Sequence, residues 1–277
     1  KALRLKSVSG EKEIAGESIH DAAKVMARYS TGIGIRILET SVDNYGDGNW
    51  VLREYAKYSP SPIINMADDI YHPCQGLADV LGMREHNNNQ PTKGKTLLQT
   101  WAKGALARSY CSVHESLLLN SRLGVNIKLA YPDDDYALPQ DIIDQVKKNC
   151  EESGASFEFV KGEDPRSAYE GVDYVYSRNW FSTGFYAGGG SAQEIKDREI
   201  QKATQDKYSK WICDEEKMKI AGPDAKFIHP MPVDEGSEVT KEVNRGPRSI
   251  IMDIAENRLH AQKAIMAMVI AGLEVEI

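Results

Sequence analysis

Two histidines in this chain are each followed directly by proline, in His72-Pro73-Cys74-Gln75 and in His229-Pro230-Met231-Pro232. Each stands where an apolar, strand-like run gives way to a turn. Proline fixes its own φ and holds the residue before it extended, so each imidazole is presented from the mouth of a strand rather than from within a helix. A site-building loop is made this way, although either motif alone could be an ordinary strand end. Three arginines occupy comparable positions. Arg36 ends the run Gly32-Ile33-Gly34-Ile35, Arg178 follows Val175-Tyr176-Ser177, and Arg258 lies at the head of the final helix in Glu256-Asn257-Arg258-Leu259-His260. A guanidinium stays charged and its planar fork suits phosphate or carboxylate. Taken singly, each could instead be a surface salt bridge; read with the paired histidine motifs, they point to an anion site.

The elements that must carry these residues alternate between β-branched runs and helical periodicity, which predicts an α/β protein of two domains with largely parallel sheets. Ile19, Ala22, Ala23, Met26 and Tyr29 share one helical face, and strands are expected at 32–37 and 62–66. A helix follows the first histidine motif to about Glu85. Further strands are expected at 96–101, 126–130, 156–160, 172–176 and 226–229, with a helix near 112–123 and another opened by Pro139 and closed by Gly154. The polar stretch Glu85–Lys95, with Asn87-Asn88-Asn89 and Pro91, marks the junction. It divides the chain into a first domain over 1–88 and a second over 93–254, with a last helix near 255–273 returning, within the segment 255–277, onto the first. Gly188-Gly189-Gly190 reads as a surface loop.

Composition narrows the function classes. The 277 residues can form a sizeable core, and 41% hydrophobic with 27% charged residues is ordinary for a globular protein. The apolar stretch 264–273 is far shorter than the roughly 18 residues of a membrane span. Net charge is −7 and the basic residues are scattered, which argues against nucleic acid as a partner. Four cysteines form no CxxC pair, so neither a zinc site nor a disulfide framework is expected, and the cytoplasm is the expected compartment. No Gly-rich fingerprint follows a strand, which disfavours a dinucleotide cofactor and a nucleotide-dependent enzyme. No cofactor or metal is expected.

His-Pro-Cys-Gln after a strand, Gly16-Glu17-Ser18-Ile19-His20-Asp21-Ala22-Ala23 before a helix, an arginine ending the next strand, His-Pro-Met-Pro, and the closing Glu-Asn-Arg-Leu-His together resemble the aspartate/ornithine carbamoyltransferase superfamily. The match runs in register over nearly the whole chain. Thr100-Trp101-Ala102 and Tyr176-Ser177-Arg178-Asn179-Trp180 are most similar to its less common branch of acylornithine enzymes and uncharacterised catabolic relatives, in which the chain can be knotted. The resemblance implies a carbamoyl phosphate site in the first domain. Arg36 and His72 would meet the carbonyl oxygen, Arg36 a phosphate oxygen as well. Gln75 and the backbone carbonyls near Pro230 and Met231 would hold the carbamoyl NH2, and Arg258 would add a phosphate contact. It also implies a homotrimer whose sites are completed by a neighbouring subunit.

Departures from the family pattern matter as much. Its Ser-Thr-Arg-Thr-Arg phosphate cradle is not among these residues. Either the protein extends before Lys1, which the non-methionine start favours, or this is a non-catalytic relative that binds a small anion or a partner subunit. Where ornithine enzymes have Asp-x-Trp-x-Ser-Met-Gly, this chain has Arg178-Asn179-Trp180-Phe181-Ser182-Thr183-Gly184. An arginine there repels an ammonium and attracts a carboxylate, which disfavours plain ornithine. Val233-Asp234-Glu235 stands where aspartate enzymes carry an arginine, so aspartate is disfavoured too. The expected acceptor has one carboxylate and an amine or ureido group, met by Arg178, Asn179, Trp180, Ser182 and Asp234; Asp234 and Glu235 could equally form a solvated turn. The expected activity is carbamoyl transfer, or phosphorolysis of a ureido compound.

Overall fold

The computed structural model describes residues 18–187 and 189–274, together with the backbone of two short strands, β1 (Leu5–Val8) and β2 (Glu11–Ile14), which pair antiparallel. Gly16 and Glu17 of the first-helix motif, and Gly188 of the glycine run, lie outside the described residues. Helix α1 (Ile19–Tyr29) begins at Ser18, whose side chain accepts the Asp21 amide. It leads into β3 (Ile33–Arg36), then α2 (Asp47–Tyr58), β4 (Ile63–Ala67) and α3 (Pro73–Glu85). β3 and β4 run parallel, and their register slips between Ile35 and Arg36, so that Arg36 faces Ala67 rather than its neighbour. A bulge of this kind re-aims the side chain at the strand end.

The second sheet has five strands in the order β7-β6-β5-β8-β9, all parallel. They are β5 (Thr96–Trp101), β6 (Asn126–Tyr131), β7 (Phe157–Lys161), β8 (Tyr174–Arg178) and β9 (Lys226–Ile228). Between them lie α4 (Cys111–Arg122), α5 (Gln140–Ser153), α6 (Ala192–Ala203) and α7 (Glu215–Ala221); α8 (Lys241–Asn244) and α9 (Ile251–Val269) follow. The chain enters at the central strand, winds outward through β6 and β7, and returns on the other side through β8 and β9. Its direction therefore reverses beside β5, and in open parallel sheets ligands collect outside the carboxyl ends of the strands at such a point. Leu97, Leu98, Ile127, Leu129, Val175 and Phe227 fill the core around this sheet, with Trp101, Trp180 and Trp211 buried among them.

The final helix packs along α3. A Cβ on Gly82 would come within 2.6 Å of Ile254 Cγ1, so the two backbones approach as closely as they do only because that position is glycine. Asn257 Nδ2 donates to Glu85 Oε2 at 2.6 Å, and His86 pairs with Asp253 at 2.7 Å. This helix starts at Ile251, earlier than its expected start near Ala255, because the run from Ile250 already belongs to the core. Arg258 consequently sits two turns inside it rather than at its head. Helices α2, α6, α7 and α8 were not foreseen. α2 opens on Gly46-Asp47-Gly48-Asn49, a composition that reads as a turn, with Gly46 at φ 89° supplying the left-handed entry. α6 has little apolar stripe and is held by a capping box between Ser191 and Glu194.

Candidate active site

The first histidine is set by the turn before it. Asp68 Oδ1 accepts the amides of Ile70 at 2.7 Å and Tyr71 at 2.6 Å, and its Oδ2 accepts from the side chains of Asn49 and Asn65, both at 2.8 Å. A carboxylate folding its own backbone in this way is an Asx turn. Asp69 accepts the amides of Gly46 at 2.6 Å and Asn49 at 3.0 Å, joining the turn to the start of α2. His72 then caps α3 with Pro73 in the first turn, and its carbonyl accepts the amides of Gln75 and Gly76. Its own amide donates to Glu115 Oε2 on α4 at 3.2 Å.

His72 is buried, and its Nδ1 has no hydrogen-bond partner. Burial, and then the charges of Arg258, Arg36 and Arg178, hold the imidazole at a pKa of about 3. It is therefore a neutral ring at physiological pH, with one N–H to donate. Three arginines from β3, β8 and α9, remote in sequence, converge on it. The buried Nε and Nη1 of Arg178 and Nε of Arg258 have no protein partner. Buried donors left unpaired are costly, and several around one buried neutral ring fit an anion site. Gln75 is buried beside them; its Nε2 donates to Asp79 Oδ1 at 2.8 Å, while its Oε1 is unpaired.

The second histidine is a different object. His229 is buried, its Nε2 faces Glu238 Oε2 at 3.1 Å, and its Nδ1 accepts the Met231 amide at 3.1 Å. Glu238 also accepts the amides of Asn179 at 2.7 Å and Asp234 at 2.8 Å. Burial pushes the Glu238 carboxyl up, but His229, Arg178 and the amide donors outweigh it and hold it at about 2. Met231 has φ 58°, in the left-handed region that a side chain rarely adopts, and the Met231–Pro232 peptide is cis. The turn at Met231 is thus held by His229, which Glu238 fixes in turn.

The structure accordingly brings together Arg36, His72, Gln75, Arg178 and Arg258, with Pro230 and Met231 on the adjoining turn. It uses other expected residues differently. Trp180 is fully buried and its Nε1 donates to the Tyr136 carbonyl at 2.9 Å. Ser182 Oγ donates to Glu199 at 2.8 Å, and Asn179 Nδ2 donates to the Ala102 carbonyl at 3.1 Å. Asp234 Oδ2 accepts the Ala105 amide at 2.5 Å, fixing the 105–106 turn. Two residues were not foreseen. Glu238 lies nine positions beyond the histidine it locks, with no local motif to mark it. Arg108 has an unpaired buried Nε and faces Arg178, Glu238 and Asp234; it sits in a loop without periodic pattern. Among the described residues no cluster of metal-ligating side chains occurs, and no helix is long and apolar enough to cross a membrane.

A family model for the carbamoyl-P binding domain of aspartate/ornithine carbamoyltransferase matches residues 2–85, and one for its Asp/Orn binding domain matches residues 105–269. This chain is a member of the aspartate/ornithine carbamoyltransferase family. N-acetylornithine carbamoyltransferase of Xanthomonas axonopodis pv. citri is 36% identical to it over 252 residues, covering 91% of this chain and 70% of that protein. Ornithine carbamoyltransferase of Thermococcus kodakarensis is 34% identical over 260 residues, 94% of this chain and 72% of that one. The crystal structure of an acetylornithine transcarbamylase complexed with acetylcitrulline superposes with a TM-score of 0.79 at 33% identity, over 95% of this chain and 75% of that one. The fold is that of the carbamoyltransferases, and the relatives are consistent with the acylornithine branch.

Proposed function

We propose that this carbamoyltransferase moves the carbamoyl group between carbamoyl phosphate and the amine of a small acceptor that carries a free carboxylate and no free α-ammonium. The observation that carries the donor side is the set of unpaired polar atoms, His72 Nδ1, Arg178 Nε and Nη1 and Arg258 Nε, gathered beside the unpaired Gln75 Oε1. In this reading the amine nitrogen attacks the carbonyl carbon, the bond from that carbon to the phosphate oxygen breaks, and the departing phosphate takes the proton the amine loses. The oxyanion of the tetrahedral intermediate is met by Arg36 and the neutral His72, which stabilise it more than the starting carbonyl. Arg36 and Arg258 neutralise the phosphate.

On the acceptor side, the carboxylates of Glu238 and Asp234 already accept backbone amides, whereas Arg108 and Arg178 keep unpaired nitrogens. A site whose acids are satisfied and whose cations are not favours an anionic acceptor. An N-acylated diamino acid meets that description, in keeping with the substrate named for the Xanthomonas relative. The division into a donor domain over 1–88, with 255–277 packed on it, and an acceptor domain over 93–254 belongs to this proposal, as do a homotrimer and a cytoplasmic setting. Incubating the protein with carbamoyl phosphate and a panel of acylated and free diamino acids, and measuring the ureido product, tests it. Turnover should favour acylated acceptors and fall at least 100-fold in His72→Ala and Arg36→Ala; unchanged turnover in either variant would sink the assignment.

A further inference from the structure

The carboxyl of Asp79 touches none of the arginines through a hydrogen bond and lies a full helical turn beyond His72-Pro73-Cys74-Gln75, yet it is completely buried. We propose that Asp79 is a positioning residue for donor choice: by fixing the Gln75 carboxamide with its oxygen toward the site, it makes the enzyme accept a carbamoyl NH2 and reject a methyl group in its place. The proposal rests on the carbamoyl phosphate reading of the site.

Gln75 and Asp79 are four residues apart on α3 and so share one face of the helix. A carboxamide is nearly symmetric in shape and can present either its NH2 or its oxygen to a ligand. In the structure Gln75 turns its NH2 to Asp79 Oδ1, at 2.8 Å, an oxygen that accepts, and its own Oε1 is left without a partner. Burial pushes the Asp79 carboxyl up to about 7, while the Gln75 N–H and the charges of Arg178 and Arg258 act to lower it. With the amide so held, the buried acceptor atom beside His72 is complementary to an N–H donor. A carbamoyl group supplies one, and an acetyl group leaves the oxygen unpaired. Sites built to hydrogen-bond a substrate N–H discriminate strongly against the analogue that lacks it. Were Asp79 absent, Gln75 could turn its NH2 toward the site, where it would face the carbamoyl NH2 donor to donor, and the preference for that group over a methyl would be lost without loss of the phosphate contacts.

Two hydrolytically stable probes test this: phosphonoacetamide and acetonylphosphonate, which carry the same phosphonate and carbonyl and differ by NH2 against CH3. Calorimetric titration of the protein should show the amide binding about tenfold more tightly. In Asp79→Leu the ratio should collapse towards one while the affinity for acetonylphosphonate changes by less than about threefold. Asp79→Asn, whose oxygen can still accept from Gln75, should keep most of the preference. Gln75→Leu should abolish it, and Asp79→Leu added to Gln75→Leu should cost nothing more, since the first residue acts through the second. A merely structural role would weaken both probes together or add to the Gln75 effect; either result, or an unchanged ratio in Asp79→Leu, overturns the proposal. Should Asp79→Leu not fold, Asp79→Ser, too short to reach Gln75, is read the same way. If the unaltered protein binds neither probe, the donor-site reading fails and this inference with it, an outcome distinct from normal binding with an unmoved ratio.

Discussion

His72 and His229 stand in the same dipeptide, one at the head of a helix and the other just past a parallel strand, both buried, and they do opposite work. The ring of His229 is fully occupied, with Glu238 on one nitrogen and the Met231 amide on the other. The ring of His72 has an unpaired Nδ1 and three guanidinium groups around it. A buried polar group whose partners are all protein is a clamp. One whose partner is missing, in a place the fold has made electropositive, is waiting for a ligand. The difference lies in what reaches each ring from elsewhere: a carboxylate nine residues on in one case, and arginines from three separate elements in the other.

The sharpest way to break this contrast is to remove each ring in turn. His72→Asn should lower kcat by about 10²–10³, the usual cost of losing one oxyanion donor, with little change in Tm. His229→Asn should do the reverse in emphasis, lowering stability by about 3 kcal/mol because a buried carboxylate loses a partner. For a domain of this size that is a Tm drop of roughly 6–12 °C. Steady-state kinetics and thermal unfolding on both variants decide the matter. A stable, active His229→Asn protein, or an unfolded His72→Asn one, would reverse the assignment of roles.

How far these roles could be read from the chain itself follows from where the partners lie. The strands that end at Arg36 and Arg178, and the two histidine-proline turns, were legible because β-branched runs and X-Pro steps are local signals, and β5 is found at Thr96–Trp101 as expected. The helix from Gln140 to Ser153 was equally plain, with Pro139 before it and Gly154 at φ 77° after it. The convergence of arginines on His72 was suggested by type and position, and the family resemblance gave them a common purpose. What could not be read was the satisfaction of each polar atom. Trp180 and Ser182 sit in the acceptor motif, yet their polar groups are spent on Tyr136 and Glu199. The turn-forming carboxylate of Asp68 and the clamp of Glu238 are defined by which amides they receive, a property of the folded chain.

The surroundings of His72 can also be disturbed from a distance, which sharpens the contrast because His229 should not notice. Arg258 is carried by α9, which packs closely on α3 where Gly82 leaves space for Ile254. Gly82→Ala inserts a methyl group into that contact and should destabilise by about 1–3 kcal/mol through overpacking. If α9 shifts, Arg258 moves with it, and the affinity for phosphate-bearing ligands should fall several-fold while the acceptor side is spared. Calorimetry with phosphonoacetamide alongside thermal unfolding would show this. Loss of stability with unchanged affinity would mean that Arg258 is positioned independently of the helix contact.

The smallest effect is the one that titration should reveal. Burial lowers the pKa of His72 to about 3, of His114 to about 4, and of His229 as well, so each binds its proton more weakly folded than unfolded. Such groups stabilise the fold above their unfolded pKa near 6.5, and that contribution is lost as pH falls from there towards the folded value. Between pH 6.5 and 5 one histidine of this kind accounts for at most about 2 kcal/mol. Buried Glu39, raised to about 8, works in the opposite sense, its contribution being lost as pH rises from about 4.5 through 8. Tm should therefore decline on the acid side through the histidines, and His72→Asn should lessen the decline between pH 6.5 and 5 by a few degrees, down to a floor set by His114 and His229. If the acid-side slope is the same with and without the His72 ring, that ring is already charged in the folded protein, and the neutral donor that separates it from His229 is not there.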